Sequence, residues 1–160
     1  SLVFAYFYYW TIHAAFPPAG MARPDAWLAV GAGATTLLAW LLMLFARREN
    51  WRDRPGIVRA SLAASLVLAL AGVGLLLLAP MGLDPTEHVY PATVWVLALW
   101  TALHLAVGVL MQGYCLAGSF AGKLTGTHDI DLRNVVLYWH FAALTMATTL
   151  AVIVLAPLAT

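Results

Sequence analysis

From Ala26 to Ala46 the chain runs without one charged side chain, and the runs 57–79, 92–120 and 135–156 are comparably apolar, with only Arg59 near the start of the first. Each matches the roughly 20 residues that a helix needs to cross a hydrocarbon core. In that medium every backbone N–H and C=O must be satisfied within the protein, which leaves helices and closed barrels as the only spanning structures. Unbroken runs of this length lack the period-2 alternation of barrel strands. The expected fold is therefore all-α: one integral membrane bundle over residues 1–160. It has five transmembrane helices, the first being the aromatic-rich 2–16 run. That run is short, so its helix is expected to be incomplete, beginning upstream of residue 1. Composition agrees, with 63% hydrophobic and 9% charged residues against about 25% charged in soluble domains.

The connections carry the polarity. Pro17, Pro18 and Gly20 end the first run, and Trp27 opens the second at the level where an indole can meet lipid headgroups. The 47–59 connection holds Arg47, Arg48, Arg52, Arg54 and Arg59 against Glu49 and Asp53, while 121–133 holds Lys123, Arg133, His128, Asp129 and Asp131. Asp131 is expected to cap the last helix by accepting from its free N–H groups. These two connections contain seven of the eight Lys and Arg residues. By the positive-inside rule both are expected to be cytoplasmic, with the C-terminus, Thr160, outside. Arg47, Arg48 and Arg59 are candidates for anionic phospholipid headgroups, at about 1 kcal/mol each. The alternative is that they only fix topology.

Several functions lose support. A formal charge of +1 spread over loops gives no basic face for nucleic acid. The single cysteine, Cys115, can form no internal disulfide and is expected to pack. Ser61, Ser65 and Ser119 lack the sequence surroundings of an activated nucleophile, and the Gly-Ala-Gly at 31–33 follows no strand, so it is no phosphate loop. A small transporter would need ionisable groups within its spans. Small residues four apart, Ala29 with Gly33 and Gly113 with Ala117, favour close helix packing instead.

Histidine is the remaining candidate for chemistry. His104 and His140 fall within the fourth and fifth runs, and a pair on two helices could hold a b-type haem from both faces. The favoured alternative is that each imidazole bonds a hydroxyl or carbonyl of a neighbouring helix, with Thr101, Tyr138 and Thr145 as partners. In Asn134-Val135-Val136-Leu137-Tyr138-Trp139-His140-Phe141, three aromatics and a histidine interrupt hydrocarbon, which points to a structural or partner-facing role.

Tyr138-Trp139-His140-Phe141, followed by a long apolar run, resembles the last helix of subunit III of haem-copper oxidases, the cytochrome c and quinol oxidases. Leu103-His104-Leu105-Ala106-Val107-Gly108, preceded by His88-Val89-Tyr90, is similar to that family's penultimate helix. Phe4-Ala5-Tyr6-Phe7-Tyr8-Tyr9-Trp10 resembles the aromatic helix that opens its larger bundle. The chain departs from the family pattern at Leu2 and Ala143, where carboxylates are usual, at Pro91 for a turn glycine and at Thr101 for a paired histidine.

The resemblance implies a non-catalytic membrane subunit, or the subunit III-like tail of a fused polypeptide, in a respiratory oxidase of the bacterial inner membrane. It would pack beside catalytic subunit I, hold phospholipid and support proton uptake and turnover. It would carry no haem or copper itself, because those belong to the partner subunits. His104, Tyr138, Trp139 and His140 would serve in packing.

Overall fold

The computed structural model describes residues 1–158 and, of Leu158, only the backbone. The expected position of Thr160 lies outside the described residues. Five α-helices follow in order, and no strand occurs among the described residues: α1 Leu2–Ile12, α2 Ala26–Asn50, α3 Pro55–Leu78, α4 Val89–Phe120 and α5 Ile130–Leu150. A π-helical turn, Ala151–Leu155, and a 3-10 turn, Ala156–Leu158, continue α5. Four helices, α2 to α5, are long and apolar enough to cross a membrane, while α1 is shorter. The chain is an integral membrane protein built as a helical bundle.

The helix ends explain where the apolar runs misplace the boundaries. The α2 helix starts where the Asp25 carboxylate accepts from the Leu28 N–H at 3.0 Å, and it runs past the last apolar residue to Asn50. Pro55 opens α3, where a missing N–H costs nothing. The α4 helix begins at Val89, before Pro91, because His88 Nδ1 accepts from the Tyr90 N–H at 3.1 Å. Pro91 then falls in the first turn, whose N–H groups have no intrahelical partner. The α5 helix begins at Ile130, so Asp131 lies in its first turn and does not cap it. The residue at the cap position, Asp129, makes no capping bond, and its carboxylate instead accepts from the Trp51 indole at 2.9 Å.

His88 also touches the rings of His13 and Phe16, with centroids at 5.4 and 6.4 Å. Replacing it with alanine should remove the cap and cost about 1 kcal/mol. His88→Asn should retain most of it, because an asparagine oxygen can accept the same bond. Thermal unfolding of the detergent-solubilised variants checks both.

The four long helices form a closed ring in which α2 packs on α3, α3 on α4, α4 on α5 and α5 back on α2. Among the buried positions, Ala29, Ala32, Thr36, Ala39, Met43 and Ala46 on α2 and Val58, Leu62, Ser65, Ala69, Gly72 and Leu76 on α3 form two regular series. Both series alternate steps of three and four, the spacing of a coiled-coil seam. Small residues line the α2 side, and the closest approach is at Gly72. A Cβ there would lie 2.8 Å from Thr36 Oγ1 and 3.1 Å from Thr35 Oγ1. Ser65 reinforces this seam by donating to the Ala39 carbonyl at 2.8 Å.

The expected close approach at Gly113 and Ala117 does not form, since a Cβ on Gly113 would meet nothing within 4 Å and Ala117 is exposed. Gly33 does face a neighbour, the Leu150 side chain. Outward positions such as Leu41, Val67, Leu70, Leu103 and Leu110 are exposed leucines and valines, as expected where lipid is the solvent.

The short α1 lies against the start of α4. Tyr6, Phe16, Tyr90, Val94, Val152 and Ile153 form a second buried cluster there, at the end remote from the basic connections. Asp84, in the loop before α4, accepts from the hydroxyl and the N–H of Thr86, which holds its carboxyl below the usual range.

Candidate functional site

The 138–141 stretch divides its side chains among three surroundings, because successive residues of a helix point about 100° apart. Trp139 faces the bundle centre with 0% exposure, the largest fully buried side chain of the protein. Tyr138 turns towards α4, where its hydroxyl donates to the His104 carbonyl at 3.0 Å. Phe141 packs its ring 5.2 Å from the His104 imidazole. His140 is exposed on the outer face of the bundle, its ring edge-on to Trp40 of α2 at 5.4 Å and 78°.

Neither imidazole bonds a neighbouring helix. His104 Nδ1 is 2.7 Å from the Trp100 carbonyl and His140 Nδ1 is 2.6 Å from the Val136 carbonyl, each four residues back on the same helix. The nearest acceptor is therefore local, which spacing alone did not reveal. Of the expected partners, Tyr138 reaches His104's backbone, Thr101 pairs with Thr149 at 2.6 Å, and Thr145 donates to the Phe141 carbonyl at 2.9 Å. His104 packs among Trp100 and Phe141, whereas His140 packs on Trp40. The two imidazoles thus pack on different aromatic neighbours. No group of three or more His, Cys, Asp or Glu is placed to hold a metal ion among the described residues.

Beside His104 the α4/α5 seam opens into a cleft of about 620 Å³ that reaches the first residues of α1. Trp100, Phe141, Leu144, Thr145 and Thr148 line it, with Leu2 and Val3 at one end. Thr145 and Thr148 give their hydroxyl protons to the Phe141 and Leu144 carbonyls of their own helix, both at 2.9 Å. With those donors satisfied and Thr101 paired with Thr149, most of the lining is methyl, methylene and ring surface suited to hydrocarbon, and Ser1 is the remaining polar residue.

At the basic end, two of the three headgroup candidates are engaged within the protein. Arg47 lies over the Trp51 ring at 4.7 Å and 3.8 Å from the Asp129 carboxylate. Arg59 donates to the Ser119 carbonyl at 3.0 Å and lies 5.1 Å over Phe120. Arg48 is exposed. The same end holds contacts that the sequence reading missed. Asn50 donates to the Thr125 carbonyl at 2.9 Å, the Gly126 N–H donates to Asp53 at 3.1 Å, and the Glu49 carboxylate, 2% exposed, pairs with Arg52 at 2.6 Å and Arg54 at 3.3 Å.

Gln112 was missed as well, although it is the sole amide in the α4 run. It is fully buried and donates to the Leu62 carbonyl of α3 at 2.9 Å. The signal that could have found it is the cost of an amide in hydrocarbon without a partner.

No family model matches this chain, and no curated protein matches it in sequence.

Proposed function

We propose that this chain is a non-catalytic membrane subunit or domain of a respiratory haem-copper terminal oxidase, of the cytochrome c oxidase type. In this reading it packs beside the catalytic subunit and retains phospholipid, and the haem and copper reside in the partner subunits. The resemblance of the Tyr138-Trp139-His140-Phe141 and Leu103-His104 motifs to subunit III supports the family reading. The observation that carries the packing role is the exposed imidazole of His140, ten residues into α5 on the outside of the bundle. A polar ring facing hydrocarbon is costly and rare, whereas one facing a protein partner finds a hydrogen bond.

The apolar cleft between α4 and α5 accounts for lipid retention, its lining being suited to acyl chains. At the basic end, away from the cleft, Arg48 is exposed next to the engaged Arg47 in sequence and is the residue left for an anionic headgroup. The resemblance supports a bacterial inner membrane, and the placement of arginines supports both basic connections on its cytoplasmic side.

His140→Leu tests this reading. On a lipid-facing surface the substitution removes a misplaced polar group and leaves assembly unchanged. On a partner-facing surface it should weaken association about tenfold, the equivalent of about 1.4 kcal/mol. Co-purification with the tagged catalytic subunit measures it, and haem per catalytic subunit should stay constant. Undiminished co-purification, or a low-spin haem spectrum from the isolated chain, sinks the proposal.

A further inference from the structure

His140 Nδ1 lies 2.6 Å from the Val136 carbonyl, four residues back on α5. A carbonyl oxygen only accepts, so Nδ1 carries a proton. None of the ion pairs among the described residues includes His140. The ring sits five residues into the apolar run that begins at Val135, where a second proton would place a charge in hydrocarbon. With its one proton on Nδ1, the imidazole presents Nε2 as a lone-pair acceptor, and Nε2 makes no hydrogen bond among the described residues.

The surface beside that nitrogen suits a helix. His140 meets Trp40 of α2, and a groove of about 390 Å³ runs along the α2/α5 seam, lined by Gly33, Ala34, Leu37, Ala143 and Ala147 among others. Ala143 and Ala147 stand three and seven residues after His140, while Leu37 and Gly33 stand three and seven before Trp40. On antiparallel helices this spacing puts the groove in line with the imidazole. Its small side chains let another backbone approach closely. An acyl chain fills such a hollow equally well but offers no proton to Nε2, whereas a helix brings both surface and donor.

We infer, on the proposed partnership with the catalytic subunit, that a transmembrane helix of that subunit seats in the α2/α5 groove and donates a hydrogen bond to His140 Nε2 from an uncharged hydroxyl or amide. An ionised carboxylate cannot serve, since it too only accepts, and a lysine or arginine would carry its charge into the bilayer.

Solid-state 15N NMR of the oxidase complex in liposomes, with histidine labelled in this chain alone, tests the bond. The His140 ring signals, identified by their loss in His140→Leu, should show a protonated Nδ1 and an unprotonated Nε2. The Nε2 signal should move between the isolated chain and the complex. His140→Gln, whose side-chain carbonyl accepts in place of Nε2, should co-purify with the catalytic subunit within about threefold of wild type, against a loss of about tenfold in His140→Leu. A proton on Nε2 in the complex, as a partner carboxylate would require, overturns the inference. So does an Nε2 signal identical in the isolated chain and the complex, or a His140→Gln variant as weak as His140→Leu. Those outcomes leave the partnership standing, whereas a wild-type chain that fails to co-purify with the catalytic subunit removes the partnership and the bond together.

Discussion

Trp139→Ala should be among the most damaging single substitutions in the bundle, at about 3 kcal/mol. Truncating a large buried aromatic costs about 3–5 kcal/mol in water-soluble cores. The lower end applies here because lipid tails are as apolar as the interior, so the loss is mainly of packing and of the filled volume. The ring is fully buried and borders Gly108 across the α4/α5 seam, so no neighbour can close the cavity without shifting a helix. Reversible unfolding in mixed micelles, titrated with a denaturing detergent, measures the change. Leu137→Ala, two residues away and 69% exposed, should change stability by less than about 0.5 kcal/mol. Equal effects from the two substitutions would mean that Trp139 does not face the core.

The second large effect is expected at Gly72. A leucine there would force its Cβ against Thr36 Oγ1, Thr35 Oγ1 and, at 3.4 Å, the Ala32 carbonyl. The last of these is backbone and cannot rotate away. Separating α2 from α3 should cost about 3 kcal/mol, the upper part of the usual range for overpacking. Gly72→Ala is smaller and should be rescued in part by Thr36→Ala, which removes the nearest atom and leaves no hydrogen bond broken, since Thr36 Oγ1 makes none. Gly74 supplies the contrast on the same helix. A Cβ there meets nothing within 4 Å, so Gly74→Ala should gain up to about 1 kcal/mol from helix propensity. The same detergent titration compares them, and a tolerated leucine at position 72 would contradict the close approach.

The apolar runs revealed the fold class because the bilayer imposes one length and one backbone solution on any spanning helix. They placed the ends poorly, because α2, α4 and α5 continue beyond hydrocarbon into polar sequence. Asn50, Val89 and Ile130 mark ends set by caps and cross-loop bonds, which hydropathy does not register. The pattern of small residues was only half informative, since Gly113 looks as favourable as Gly72 until the neighbouring helix is in place. His104 and His140 were legible as polar intrusions, but not their bonding, because an imidazole can equally reach a carbonyl on its own helix or on another. Gln112 and Glu49 are the sharper omissions. Gln112 is alone in an apolar run with its partner on another helix, and Glu49 stands among several arginines, so sequence does not show which of them it pairs with.

The basic end of the bundle is stitched by side-chain bonds between its two turns. Bonds from Asn50, Trp51 and Asp53 to Thr125, Asp129 and Gly126 join the α2/α3 turn to the α4/α5 turn across more than 70 residues of sequence. Asp53 adopts a left-handed backbone with φ of 51° and supplies one of these bonds. At the far end α5 continues as a π turn and a 3-10 turn, the Asp25 N–H donates to the Ala79 carbonyl at 2.9 Å, and Tyr6, Phe16, Tyr90, Val152 and Ile153 pack together. The bundle is thus tied by polar bonds between turns at one end and mainly by packed side chains at the other, two couplings of which added salt weakens only the first.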